Sequence, residues 1–319
     1  MTVPPGKDPT ADNNDDVSRE TWAVPSEYDT PIAAAAKRAM QVLHTAAGSL
    51  PRPRHRRVFT VANQKGGVGK TTTAVNMAAA LAVQGLKTLV IDLDPQGNAS
   101  TALGISDRRS GTPSSYEVLL GELPLEAAIR QSPHSKFLFC VPATIDLAGA
   151  EIELVSMVAR ENRLRSALAE LDKHEFDYVF IDCPPSLGLL TLNALVAAPE
   201  VLIPIQCEYY ALEGVSQLMN NIEMVRAHLN PQLNVSTVVL TMYDGRTKLA
   251  DQVASEVRRY FGDRVLRTVI PRSVKVSEAP GYSMTIIAYD PGSRGAMSYL
   301  DASRELASRD QPVPGEATE

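Results

Sequence analysis

Between Val58 and about Arg309, apolar runs of five to seven residues alternate with longer stretches whose apolar positions recur at helical spacing. The runs predict strands at 58–62, 87–92, 137–141, 176–182, 201–206, 235–241 and 265–270. The longer stretches predict helices at 72–84, 147–171, 186–197, 211–229, 249–261 and 295–308. Strands that are apolar throughout, separated by helices, are buried on both faces. The implied fold class is α/β: a mostly parallel twisted sheet with helices on both faces. Right-handed crossovers then bring the loops after the strands to one edge of the sheet, where open α/β sheets bind ligands.

The pattern stops at both ends. Residues 1–57 read as an extension, acidic at first (Asp12, Asp15, Asp16, Glu20) and then rich in proline and arginine from Pro51 to Arg57. The alanine-rich stretch from Thr30 to Leu43 suits a short helix but is too short to make its own core, so the extension is expected to be mobile. The body is expected at 58–309, and residues 310–319 form a proline- and glutamate-containing tail. No apolar run reaches the length of a membrane span and no signal peptide is visible, which points to a cytoplasmic chain without membrane contact. Cys140, Cys183 and Cys207 lack metal-ligand spacing and read as buried thiols. A net charge of −6 excludes whole-surface affinity for nucleic acid, so DNA binding would need a local basic patch.

The chemistry concentrates after three of the strands. Residues 65–72 read K-G-G-V-G-K-T-T, between the first strand and the first helix. Glycines let backbone N–H groups turn inward, and the helix N-terminus adds its positive dipole end, which together make a phosphate cradle. Lys70 stands where a P-loop lysine reaches the β- and γ-phosphates, and Thr71 where a hydroxyl binds Mg²⁺. The glycine usual six residues before that lysine is Gln64 here, and a second lysine, Lys65, opens the loop. Two ammonium groups in one short loop repel unless something strongly anionic, such as a triphosphate, lies between them. The strand at 87–92 runs into D-L-D-P-Q-G-N-A-S (92–100), and the strand at 176–182 ends in Asp182, followed by Cys183-Pro184-Pro185. An aspartate after an apolar strand suits the second Mg²⁺ element of a nucleotide site, though singly each also suits a helix cap or a turn.

These stretches resemble the deviant-Walker ATPases of the ParA/MinD group, and within it the chromosomal ParA (Soj) partition proteins. The resemblance runs from Arg57 to about Leu306 and rests on K-G-G-V-G-K-T-T, D-L-D-P-Q-G-N-A-S, F-I-D-C-P-P-S-L-G (180–188) and I-P-I-Q-C-E-Y-Y-A-L-E-G (203–214). T-M-Y-D-G-R-T (241–247) and I-P-R-S-V-K-V-S-E-A-P-G (270–281) complete the set. The acidic tail departs from the basic amphipathic helix of MinD-like proteins, and the cysteines do not match the iron–sulfur pattern of the nitrogenase iron protein. The extension is too short and polar for the helix-turn-helix of many plasmid-type relatives.

The resemblance implies ATP or ADP as ligand, with Gly66, Gly67, Val68, Gly69 and Lys70 around the phosphates, Thr72 at the α-phosphate, and Thr71, Asp94 and Asp182 around Mg²⁺. It implies that Asp94 positions or polarises the attacking water, while Asp92 anchors the metal's water shell or the loop. Lys65 would act across the interface of an ATP sandwich homodimer, as an arginine finger does. The resemblance adds Met242 and Pro271 to the nucleotide-binding set. Glu208 either faces the partner's ribose or is a solvated capping acid. Hydrolysis would stay slow until a partner, a ParB-type centromere-binding protein, orders the loops. A regulatory switch of the same family with little hydrolysis is the alternative.

From Thr241 to Val276 the chain carries eight basic and four acidic residues. Such a run is commonly a solvated face. The resemblance implies that it binds double-stranded DNA without sequence preference, through Arg246, Lys248, Arg272 and Lys275, and so places the protein on the nucleoid. Phosphate contacts suffice for that, and no recognition helix is needed. Arg52, Arg54, Arg56 and Arg57 could add a flexible basic arm or could be a plain linker.

Overall fold

The computed structural model describes residues 1, 2, 50–107, 109, 111–172, 175–209 and 213–309. The stretch at 30–43 and the tail at 310–319 lie outside the described residues. Eight strands form one sheet: Arg57–Val61 (β1), Thr88–Asp92 (β2), Arg130–Gln131 (β3), Leu138–Val141 (β4), Tyr178–Asp182 (β5), Glu200–Gln206 (β6), Asn234–Tyr243 (β7) and Val265–Pro271 (β8). Their order is β3-β4-β2-β5-β1-β6-β7-β8. All pairings are parallel except the short edge pair β3–β4. The mostly parallel sheet with helices on both faces is therefore present as expected.

Twelve α-helices connect the strands: Lys70–Val83 (α1), Asn98–Ala102 (α2), Ser115–Leu120 (α3), Leu125–Ala128 (α4), Leu147–Val155 (α5), Arg163–Glu170 (α6), Leu189–Ala197 (α7), Glu213–His228 (α8), Lys248–Phe261 (α9), Val274–Glu278 (α10), Ile286–Tyr289 (α11) and Arg294–Ser308 (α12), counted among the described residues. Alternate strand residues feed opposite layers. Phe59, Val61, Val90, Tyr178 and Phe180 pack under α1 and α12. Val58, Leu89, Ile91, Val179 and Ile181 meet α3 to α7 on the other face. Beyond β1 that face continues with Ile203, Ile205, Val238 and Leu240 against α8 and α9.

Helix α1 lies at the centre, and its run of alanines lets it approach both the sheet and α12 closely; Thr73 to Ala82 are all buried. Its end is fixed by Gly85, whose φ of 89° suits the left-handed position that closes a helix, with Leu86 N–H donating back to Leu81 O at 3.2 Å. The Gln84 amide donates to Ser303 Oγ at 2.8 Å, tying α1 to α12.

Two expectations change. The helix expected over 147–171 is two, α5 and α6, broken at Ala159, whose φ is 51°. Asn193 on α7 stabilises the break: its side-chain oxygen accepts from Leu164 N–H at 3.2 Å, and its amide donates to Arg160 O at 2.9 Å. Periodicity alone carries on through such a break, because the cap comes from a distant helix.

The arginine-rich stretch, expected as a linker or basic arm, is fastened to the body from Leu50 on. Leu50 packs beside the α1 layer, and its N–H donates to Gln84 O at 3.3 Å. The Arg56 guanidinium donates to Leu168 O, Leu171 O and Asp172 O at 2.9, 3.3 and 3.2 Å, which caps the end of α6. Arg57 grips both Glu200 carboxylate oxygens, at 2.8 and 2.6 Å, and lies 4.7 Å over the Phe59 ring. Both partners are largely out of solvent, so losing one strands the other's charge. We expect Arg57→Ala to lower stability by about 3 kcal/mol, read by urea denaturation. The double change Arg57→Met with Glu200→Leu should lie nearer wild type than either single change.

Candidate active site

The sheet register assembles the site. Val61 pairs with Asp182, and Asp182 pairs with Asp92, so three adjacent parallel strands end level with one another. The glycine loop after β1 thus lies over two aspartates more than eighty residues apart in the chain. Gly67 and Gly69 have φ of 75° and 88°, values that a side chain would strain. A Cβ at Gly66 or Gly67 would meet nothing within 4 Å, so the space before the loop is open. Gly69 caps α1, whose first N–H groups face that space. Val68 is buried, and its carbonyl accepts from Thr241 Oγ1 at 2.8 Å, which clamps the loop to β7.

Lys70 is 7% exposed, and its ammonium donates to Lys65 O at 3.3 Å. Burial pulls its pKa below the ordinary lysine value, opposed by Asp182, Cys183 and Asp94. Asp182 is wholly buried, and neither carboxylate oxygen has a hydrogen-bond partner. The Thr71 hydroxyl is near enough to favour its ionised form without meeting hydrogen-bond geometry. Burial and then repulsion from Asp92 push the Asp182 carboxyl well above the usual range. Asp92, equally buried, is satisfied: it accepts from Ser100 N–H at 2.8 Å, Ser100 Oγ at 2.6 Å and Asp94 N–H at 3.1 Å. Its pKa still rises to about 6, because desolvation outweighs those bonds. Asp92 therefore anchors the loop, one of the two roles its position suggested. Asp94 is half-buried and accepts from Gln96 N–H at 3.0 Å, a turn that holds the carboxylate beside the site.

Thr72 is half-buried on the first turn of α1, and its carbonyl accepts from Asn76. Lys65 lies on the rim with its ammonium 3.9 Å from Glu208 Oε2. Glu208 follows β6, while Met242 lies at the end of β7 and Pro271 at the end of β8, so the three form a row along the carboxyl edge. Met242 has a φ of 50°, an uncommon value for a side-chain-bearing residue.

Of the eight basic residues, Arg258 and Arg259 end α9 and Arg264 and Arg267 lie before and within β8, while Arg246, Lys248, Arg272 and Lys275 lie on that same edge, in the loops and helices after β7 and β8. They are more neutralised than their count suggests. Arg246 forks onto Asp244 at 2.8 and 2.7 Å, Arg272 is 3.6 Å from Glu208, and Lys275 is 3.8 Å from Asp290. Lys248 is exposed at the start of α9. Sequence reasoning missed Thr241, Ser100 and Asn63, which hold the loops. Ser100 lies inside a motif already noted, whereas nothing in the sequence marks Thr241 as the clamp of a loop 173 positions away.

Residues 56–235 match the family model AAA_31, an AAA domain. The chromosome partitioning protein ParA of Myxococcus xanthus is 53% identical over 257 residues, covering 80% of this chain and 89% of its own. The sporulation initiation inhibitor protein Soj of Bacillus subtilis is 52% identical over 252 residues, covering 79% of this chain and 98% of its own. The chain belongs to the ParA/Soj family of chromosome-partitioning proteins. A solved Mycobacterium smegmatis structure, described as cobyrinic acid a,c-diamide synthase with bound ATP analogue and magnesium, superposes at TM-score 0.67. That protein is 42% identical and covers 79% of this chain and 93% of its own. Among the described residues, no helix of this ParA/Soj member is long and apolar enough to cross a membrane, and no group of three or more His, Cys, Asp or Glu could hold a metal ion. Mg²⁺ in nucleotide sites needs only one or two protein ligands beside the phosphates, and the unpartnered Asp182 carboxylate near Thr71 fits that demand.

A buried carboxylate without a partner costs stability while the site is empty. Asp182→Asn should therefore stabilise the nucleotide-free protein by about 1–3 kcal/mol and weaken magnesium-dependent nucleotide binding. The gain should be larger at pH 7.5 than at pH 5. The raised pKa means that the folded wild type takes up this proton as pH falls, which relieves its penalty. Urea denaturation at the two pH values reads this.

Proposed function

We propose that this ParA/Soj member is an ATPase that closes into an ATP-dependent sandwich dimer, binds DNA without sequence preference and is stimulated by a ParB-type partner to segregate chromosomes or plasmids. The observation that carries the reading is the buried Lys70 ammonium beside the unpartnered Asp182 carboxylate at an open glycine loop, with Lys65 on its rim. Such a site is unbalanced until a polyphosphate and a cation enter together.

The backbone N–H groups of Gly66 to Lys70 would receive the phosphates, and the buried Lys70 ammonium would neutralise the β- and γ-oxygens. Thr72, at the first turn of α1, would meet the α-phosphate. Thr71, Asp94 and Asp182 are the residues that would hold Mg²⁺, which supplies charge neutralisation on the phosphates when bound. Asp94, fixed by its own turn, would position the attacking water. Lys65 would reach the partner's nucleotide, where the charge of the transition state develops. Glu208, Met242 and Pro271 would border the nucleotide along the strand ends. On the adjoining surface Arg246, Lys248, Arg272 and Lys275 would exchange carboxylate partners for DNA phosphates. Binding would then fall steeply with salt, and would place the protein on the nucleoid.

The likeness to the protein described as cobyrinic acid a,c-diamide synthase does not redirect this reading. A cysteine nucleophile of the kind that releases ammonia from an amide needs access to its substrate and a lowered pKa. All three cysteines here are buried, and burial pushes the Cys183 thiol well above its ordinary range.

The deciding experiment is ATP turnover with and without nonspecific DNA and a ParB-type partner; turnover that neither changes would favour the low-hydrolysis switch. Asp94→Ala should bind ATP, accumulate as a dimer and lose about two to four orders of magnitude in rate. Normal turnover in that variant would remove the role given to Asp94. Changing Arg246 and Lys275 together to Glu should weaken DNA binding and leave ATP affinity alone, measured as isotherms at several salt concentrations.

A further inference from the structure

We propose that Glu208 is a positioning residue that keeps Lys65 within its own subunit until a nucleotide-bound partner draws it across. The proposal rests on the sandwich-dimer reading above and assigns Glu208 a role inside the monomer instead of a contact with the partner.

The backbone of Lys65 is fixed. Its N–H donates to Asn63 Oδ1 at 3.0 Å, Asn63 in turn donates to Pro204 O at 2.8 Å, and the Lys65 carbonyl receives Lys70 Nζ at 3.3 Å. Any change in what Lys65 contacts must therefore be a swing of its side chain. That side chain lies beside the end of β6, with its ammonium 3.9 Å from Glu208 Oε2. The carboxylate is itself oriented: Gln206 Nε2 donates to Oε1 at 2.6 Å, and Arg272 Nη2 lies 3.6 Å from the same oxygen. Glu208 is thus aimed by two groups and offers its other oxygen to Lys65.

The contact is built to yield. The Lys65 and Glu208 side chains are 36% and 47% exposed, and a pair so open to water holds by only about 1.4- to 5-fold. A triphosphate offers Lys65 a far stronger anion. Because a symmetric dimer releases two such contacts, the effect squares to about 2- to 30-fold on dimerisation. Arg272 shares the carboxylate, so removing Arg272 should tighten the hold on Lys65.

The test uses Glu208→Gln, which keeps the shape of the side chain and removes its charge. In nucleotide-free protein, acylation of the Lys65 amine by a succinimidyl ester, read by mass spectrometry, should rise by about 1.4- to 5-fold. Arg272→Ala should slow it, and should have no effect in the Glu208→Gln background. With ATP, sedimentation should show dimerisation strengthened by about 2- to 30-fold in Glu208→Gln. Unchanged Lys65 reactivity overturns the proposal. Weakened dimerisation does so too, and would assign Glu208 to the partner's surface. A wild type that stays monomeric with ATP overturns the dimer reading and the release step with it, while the lysine chemistry still decides whether the contact within the subunit exists.

Discussion

Everything at this site follows from three parallel strands ending level. The register that sets Val61, Asp182 and Asp92 side by side places a glycine loop, an unpartnered carboxylate and a loop anchor within one small volume. That volume gathers buried charge that the chain's own groups do not fully satisfy. Asp92 is satisfied by Ser100 and Asp94, whereas Asp182 is not. Folding a charge into such a place is unfavourable, and the surrounding hydrophobic layers offset it.

Those layers also explain why the site can be strained without being loose. The β1 strand is buried on both faces, and α1 starts directly from the glycine loop with nearly its whole length buried. The loop is then clamped at Val68 by Thr241, and α1 is locked to α12 through Gln84 and Ser303. At the opposite end of the sheet the Arg57–Glu200 pair closes the β1–β6 boundary, and Arg56 caps α6. The rigid parts are those that must present fixed N–H groups and carboxylates. The rim, where Lys65, Glu208 and Arg272 meet, is held by exposed ion pairs around a carboxylate that Gln206 orients, and a stronger anion can displace those pairs.

The basic edge shows the same economy. Arg246, Arg272 and Lys275 each lie beside a carboxylate, so the local positive excess is held in reserve. Under the proposed function, those carboxylates would give way to the phosphates of DNA. The basic edge also shares Glu208 with the nucleotide rim, which makes the two surfaces neighbours through a single residue.

The sequence by itself determined the α/β class, the positions of the main strands along the chain, the glycine loop with Lys65 and Lys70, and the aspartates after the second and fifth strands. These are legible because strand burial and phosphate cradles leave local signatures, in runs and spacings that lie within one stretch of chain. Tertiary structure decided the rest. It showed that Asp92 is a satisfied anchor while Asp182, its neighbour in register, is left without a partner. It broke the expected 147–171 helix through Asn193, turned an arginine-rich stretch into a strap, and paired the basic residues with acids. Each of these depends on a group brought in from elsewhere in the chain, and the sum of desolvation and charge at a point in space has no signature in any one stretch of sequence.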